Sequence, residues 1–193
     1  MIKNKTDLKR YILQDRKLNG FGVKRSFQDF LKELLFPNSI TVLRYMRKLE
    51  YYTNVKVFGA FFFKEYYYFK YRKASRKLGY SIAINTCGPG LSLPHYGTII
   101  ISGHARIGCN CRIHACVNIG ASAGKEIAPT IGDNVYIGPS CVLYGAIVIG
   151  SNNTIGANAT VNKSFTEEHV VIAGSPATIV KRDYPNWLEF NRI

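Results

Sequence analysis

A six-residue repeat in the second half of the chain constrains its fold more than any other feature. Aliphatic side chains stand at Ile101, Ile107, Ile113, Ile119, Ile131, Ile137, Leu143, Ile149, Ile155 and Val161, every gap being six residues except one of twelve. The next residue is usually tiny (Gly108, Gly120, Gly132, Gly138, Gly150, Gly156), and four residues after the aliphatic comes a small or apolar one, as at Ala105, Cys111, Val117, Ala123, Val135, Cys141 and Ala159. Such a period fits neither a helix, at about 3.6 residues per turn, nor the plain alternation of a strand; it fits a short strand plus a corner. Three units close one triangular coil, the aliphatics stack inward on their equivalents in neighbouring coils, and glycine permits the corner conformation. Across the single long gap the phase is kept, but Lys125 falls on the inward slot, so Gly124 to Thr130 is expected to loop out at one corner and return in register.

The pattern (Ile/Leu/Val)-Gly-x-x-(small)-x resembles the hexapeptide-repeat acyltransferases. That resemblance implies a mainly β fold, a left-handed parallel β-helix, here with an α-helical N-terminal region. The stretch Leu93 to Gly108, with His95 two residues after Leu93, then Gly97-Thr98, three isoleucines and a resumed hexad, resembles the active-site segment of the serine-acetyltransferase-like branch. Further matches are Ile119 to Gly124, Pro129-Thr-Ile-Gly132 and the tail Val170 to Ala177, which ends in Gly-x-Pro-Ala; the likeness spans about residues 81 to 182. Polysaccharide and sugar O-acetyltransferases share this pattern.

What the resemblance implies is an acetyl-CoA-dependent O-acetyltransferase, a homotrimer with its sites between subunits, and His95 as general base. An imidazole suits that role because it titrates near neutral pH and can take the proton of an attacking alcohol. The coenzyme arm is expected against Gly120, Ala121, Ser122, Gly138, Gly156 and Ala157, where small residues let it approach the backbone, with Lys163 meeting a phosphate. Backbone N–H groups near Gly120 are expected to stabilise the developing oxyanion. The family's upstream aspartate has no counterpart, since no Asp or Glu occurs from Tyr66 to Lys125. Asn85, a backbone carbonyl or a carboxylate from another subunit is left to hold the imidazole. His114, in the glycine slot after Ile113, is the second substrate-contact candidate, while His104 and His169 are expected at the surface and no metal site is expected. The family's Arg-His pair in the insertion loop is replaced by Ile127 and Ala128. A serine carboxylate would lack its partner there, so the expected acceptor is a neutral sugar hydroxyl in surface polysaccharide biosynthesis, with serine O-acetylation of cysteine biosynthesis as the alternative.

Charge separates the remaining sequence from the repeat. Residues 1–79 hold 19 Lys and Arg against 6 Asp and Glu, nearly all of the chain's +14 surplus, together with 8 of its 13 Tyr and 9 of its 11 Phe. The expected division is therefore 1–79 as a basic, aromatic helical region, 80–182 as the β-helix and 183–193 as a C-terminal tail. In the first, Ser26 to Asp29 reads as a capping box opening a helix with Phe27, Phe30, Leu31, Leu34 and Leu35 on one face, and Val42, Tyr45, Met46 and Leu49 repeat the helical spacing in the next. These helices are expected to cover the open end of the β-helix. From Lys56 to Lys77 aromatic and basic residues mix, as suits contact with an anionic membrane surface; no RNA- or DNA-binding signature accompanies them, and no nucleic-acid partner is expected. No apolar run approaches the ~20 residues of a membrane span. With no apolar segment behind the basic N-terminus, a cytoplasmic protein is expected, at most peripheral at the inner face of the membrane. The five cysteines show no Cys-x-x-Cys spacing and are read as reduced thiols filling small core positions.

Overall fold

The computed structural model of the protein describes residues 1–22, 31, 35, 36, 38–122 and 125–192. The capping box at Ser26 to Asp29, the apolar face through Phe27, Phe30 and Leu34, and Ala123 and Gly124 of the loop lie outside those residues.

Three helices whose whole length falls among the described residues precede the strands. In α1 (Lys5–Leu18) Asn4 caps the start by accepting from the Asp7 amide, and in α2 (Ser39–Asn54) Asn38 and Thr41 cap each other reciprocally. Val42, Met46 and Leu49 lie on the buried face of α2, as their spacing requires. Helix α3 (Ala60–Leu78) ends at Gly79, whose φ of +80° turns the chain into the first strand; a Cβ there would stand 3.0 Å from the Gly97 backbone.

The strands then wind in coils. The first is β1 (Tyr80–Ile82). It is followed by β2 (Ile99–Ile101), β3 (Arg106–Ile107) and β4 (Arg112–Ile113), then by β5 (Asn118–Gly120), β6 (Thr130–Ile131) and β7 (Tyr136–Ile137). Next come β8 (Val142–Tyr144), β9 (Val148–Ile149) and β10 (Thr154–Ile155), and last β11 (Thr160–Val161), β12 (Val171–Gly174) and β13 (Ala177–Lys181). They form the three faces β1-β2-β5-β8-β11, β3-β6-β9 and β4-β7-β10-β12-β13 of a left-handed β-helix, parallel throughout except for β12 with β13. The register places Ile101 on Ile119, Leu143 and Val161, Ile107 on Ile131 and Ile149, and Ile113 on Ile137, Ile155 and Ile172. Every one of these side chains is at most 5% exposed, so the hexad aliphatics are the core.

The corners correct one expectation. The glycines after the aliphatics do not carry the left-handed backbone; Asn110, Asn134, Asn152, Asn158, Cys116 and Ser140 do, with φ between 56° and 62°. Asparagine tolerates that region, and its amides stack into a ladder, Asn110 donating to Asn134 and Asn134 to Asn152. The glycines serve coil stacking instead: a Cβ on Gly108, Gly132 or Gly138 would meet the neighbouring coil's backbone at 2.6 to 2.8 Å. Cys116 is likewise corrected from a core position to an exposed corner and Cys109 to a half-buried one, while Cys87, Cys111 and Cys141 are buried thiols.

Helices and coils are joined by a buried charge cluster. Arg47 donates to Asp15 at 2.8 Å, to Glu50 at 3.1 Å and to the carbonyls of Cys87 and Gly88. Asp15 in turn accepts from the amides of Gly90 and Leu91, and Glu50 from that of Asn85. Burial alone would lower the Arg47 pKa; the two carboxylates outweigh it and raise it above the ordinary arginine value.

Candidate active site

The corner between the third and first faces carries His95 and His114 on successive coils. His95 is held by its surroundings rather than by its ring. Leu93 is buried and donates its amide to the Asn19 side chain, and the Tyr80 hydroxyl donates to the His95 carbonyl at 2.8 Å. With that proton committed, the Ser39 hydroxyl, 2.8 Å from Tyr80, is the donor in their pair, which ties the start of α2 to the histidine turn. The His95 side chain is exposed, its ring 5.6 Å from that of His114, which lies 4.9 Å from the Tyr136 ring.

His114 sits in the glycine slot and is half-buried. Its Nε2 is buried without a hydrogen-bond partner. Burial first, then the charge of Arg112 and the neighbouring His95, push its pKa below the ordinary histidine value. At neutral pH it is an uncharged ring able to accept a proton or a hydrogen bond beside the general-base candidate.

Outward residues of the third face continue the site. Arg112, Tyr136 and Thr154 stand in register on β4, β7 and β10, and the segment from Tyr184 to Asn191, including the short helix α4 (Trp187–Asn191), folds over them around a pocket of about 380 Å3. Trp187 is buried, donates its indole N–H to the Asn110 carbonyl, and lies under the Arg112 guanidinium at 5.4 Å. The segment expected as a tail therefore walls a pocket beside His114. Arg112, Tyr136 and Trp187 were absent from the expected site. The available signal was the position before each inward aliphatic, which in a strand points outward, and the chain's single tryptophan.

The remaining candidates divide by place. Gly138, Gly156 and Ala157 continue the corner column above His114, each inward neighbour one coil higher. Gly120, Ala121, Ser122 and Lys163 lie along the opposite edge of the first face, where β5 and β11 end. Among the three candidate glycines, Gly120 has no neighbouring backbone within 4 Å of a Cβ, the nearest atom being the Asn118 side chain at 3.3 Å, and Gly156 meets backbone only at 3.7 Å; close coil stacking accounts for Gly138. The loop runs outward as expected, with Lys125 and Ile127 exposed and Ala128 buried. Asn85 is corrected: its amide is exchanged with that of Asn54 at 2.7 and 3.0 Å and its backbone is bound by Glu50, so it does not reach His95. Among the described residues no carboxylate is bonded to either imidazole, and no group of three potential metal ligands occurs.

The architecture is a left-handed β-helix, and within it residues 128–163 match the family model "Bacterial transferase hexapeptide (six repeats)". The chain is similar to serine acetyltransferase from Staphylococcus xylosus, 38% identical over 99 residues that cover 50% of this chain and 45% of that one. Serine acetyltransferase from Neisseria gonorrhoeae, solved in complex with serine, shares the fold at 26% identity and a TM-score of 0.66, covering 90% of this chain and 69% of that one. The Brucella abortus enzyme solved with coenzyme A shows the same fold at 20% identity and a TM-score of 0.69, covering 94% and 71%. The chain spans about half the length of the curated relatives it matches. The relatives and solved structures it resembles are serine acetyltransferases, not sugar O-acetyltransferases, which corrects the expected sugar acceptor.

Proposed function

We propose that the protein transfers the acetyl group of acetyl-CoA to the hydroxyl of L-serine. The observation that carries the reading is the pairing of His95 with a neutral, half-buried His114 at one corner of a β-helix shared with serine acetyltransferases. His95 takes the proton of the serine hydroxyl as its oxygen bonds to the thioester carbon, and returns it to the sulfur as the carbon–sulfur bond breaks, leaving O-acetylserine and CoA. No acyl-enzyme is formed. The loop residues Ile127 and Ala128 offer the serine carboxylate nothing, but the Arg112 guanidinium lies in the same cleft as His114, and we assign it as the carboxylate's partner.

The exposed His95 and the two separated columns of small residues fit a trimer. In one, the column above His114 faces the edge carrying Gly120, Ser122 and Lys163 of a neighbouring protomer, the coenzyme running between them.

The test is a CoA-release assay with acetyl-CoA and L-serine, followed by mass detection of O-acetylserine. A protein that releases no CoA with serine refutes the reading. His95→Ala should lower kcat by ~10²- to 10⁴-fold. Arg112→Met should raise KM for serine by about tenfold or more, the size of a lost charge-assisted hydrogen bond, with a smaller change in kcat.

A further inference from the structure

We propose that the solvent side of α3 docks on an anionic lipid bilayer. The helix is already satisfied on its other side: Tyr71, Ala74 and Ser75 are buried against the first coil, and the Tyr71 hydroxyl donates to the Ile82 carbonyl. The middle of its broad exposed side is the stripe Phe62, Tyr66, Phe69, Lys73 and Arg76, whose spacing of four and three residues keeps it on one side over ~21 Å, with exposed Phe61 and Tyr68 alongside. Phe62 is 77% and Phe69 63% exposed, and Phe58, just before the helix, is fully exposed. In water this contiguous aromatic surface is unfavourable, which marks it as an interaction face.

The order along the stripe selects the partner. Aromatics occupy the first half and cations the second, with Arg72 and Lys77 beside them, and Glu65 is the helix's only acid. Aromatic rings belong at the boundary between headgroups and acyl chains, and basic residues alongside belong at lipid phosphates. A second copy of the face would bring like charges together, whereas an anionic bilayer meets both halves at once. Among the described residues no helix is long and apolar enough to cross a membrane, so the contact is peripheral.

The experiment is flotation of the full-length chain with phosphatidylcholine vesicles and with vesicles that also contain phosphatidylglycerol. The protein should float only with the second and be released as salt rises. Lys73→Gln with Arg76→Gln should weaken partitioning about thirtyfold, from the attraction of each cation to an anionic surface. Phe62→Ser with Phe69→Ser should weaken it by about tenfold or more. Ile100→Ser, on an exposed face of the β-helix, should leave flotation unchanged and serves as the control. The proposal is overturned if the wild type stays with neither vesicle or with both alike, or if the paired variants float as the wild type does. It also falls if the phenylalanine pair lowers oligomer mass in light scattering without touching flotation, which makes the face a self-interface. Tighter capture by a single-stranded RNA than by anionic vesicles overturns it equally.

Discussion

The β-helix and the helical region are each stabilised by burial, but they distribute it differently. In the coils the same contact recurs: inward aliphatics stack on their equivalents in neighbouring coils, as Ile137 lies between Ile113 and Ile155. The helical region instead converges on one side chain, Arg47, which joins α1, α2 and the carbonyls of Cys87 and Gly88. Redundancy makes a solenoid tolerant and legible, while convergence makes the helical cap depend on a few residues that nothing in their local sequence announces.

The comparison can be broken most forcefully at Arg47. Arg47→Leu leaves Asp15 and Glu50 buried without their cation and should cost about 3–5 kcal/mol. Amide exchange should show α1 and α2 opening while β7 to β10 stay protected; simultaneous loss of both would show that the two regions are one cooperative unit. Ile137→Ala should cost about 2–5 kcal/mol by leaving a cavity. Here exchange should quicken in β4, β7 and β10 and spare α1, and a uniform rise would defeat the contrast. Gly138→Ala follows, at about 1–3 kcal/mol, because its Cβ would stand 2.8 Å from the Ala157 nitrogen and the coils must part. Gly120→Ala, with only the Asn118 side chain to displace, should leave the thermal midpoint nearly unchanged while reducing coenzyme affinity.

The same contrast explains what the sequence disclosed. The core of the β-helix was readable because a period of six repeats the inward residue, and His95 stood out as a candidate because Leu93 to Gly108 is continuous in sequence. The corner asparagines at 110, 134 and 152 also keep the six-residue phase, at wider gaps than the glycines, and glycine's freedom drew the explanation that close stacking deserved. The Arg47 cluster spans residues 15, 47, 50 and 87 to 91, and no local pattern links them. Arg112 and Trp187 meet only because the final segment folds back across 75 positions of chain. The sugar acceptor was expected for a related reason: the loss of a loop pair stands out in the sequence, whereas Arg112, which the proposed function assigns to the serine carboxylate, is marked there only by its place before an inward aliphatic.

The smallest effect concerns His114, where an imidazole takes the place of the repeat's glycine. An imidazole occupies a slot that is glycine in the coil above, and burial, Arg112 and His95 all disfavour its protonation. Its folded-state pKa lies below the ordinary value, so as pH falls the unfolded chain takes up this proton before the folded one does. The stability this ring contributes is therefore complete above the ordinary histidine range and is lost as pH falls through its folded value. His114→Gln, which cannot take the proton, should show a shallower fall of thermal midpoint over that window, and Arg112→Gln should raise the pH at which the wild-type fall ends by removing a repelling charge. Proton NMR of the His114 ring measures the shift directly. A His114 that titrates at or above the ordinary value would remove the neutral partner from the site and leave His95 to act alone.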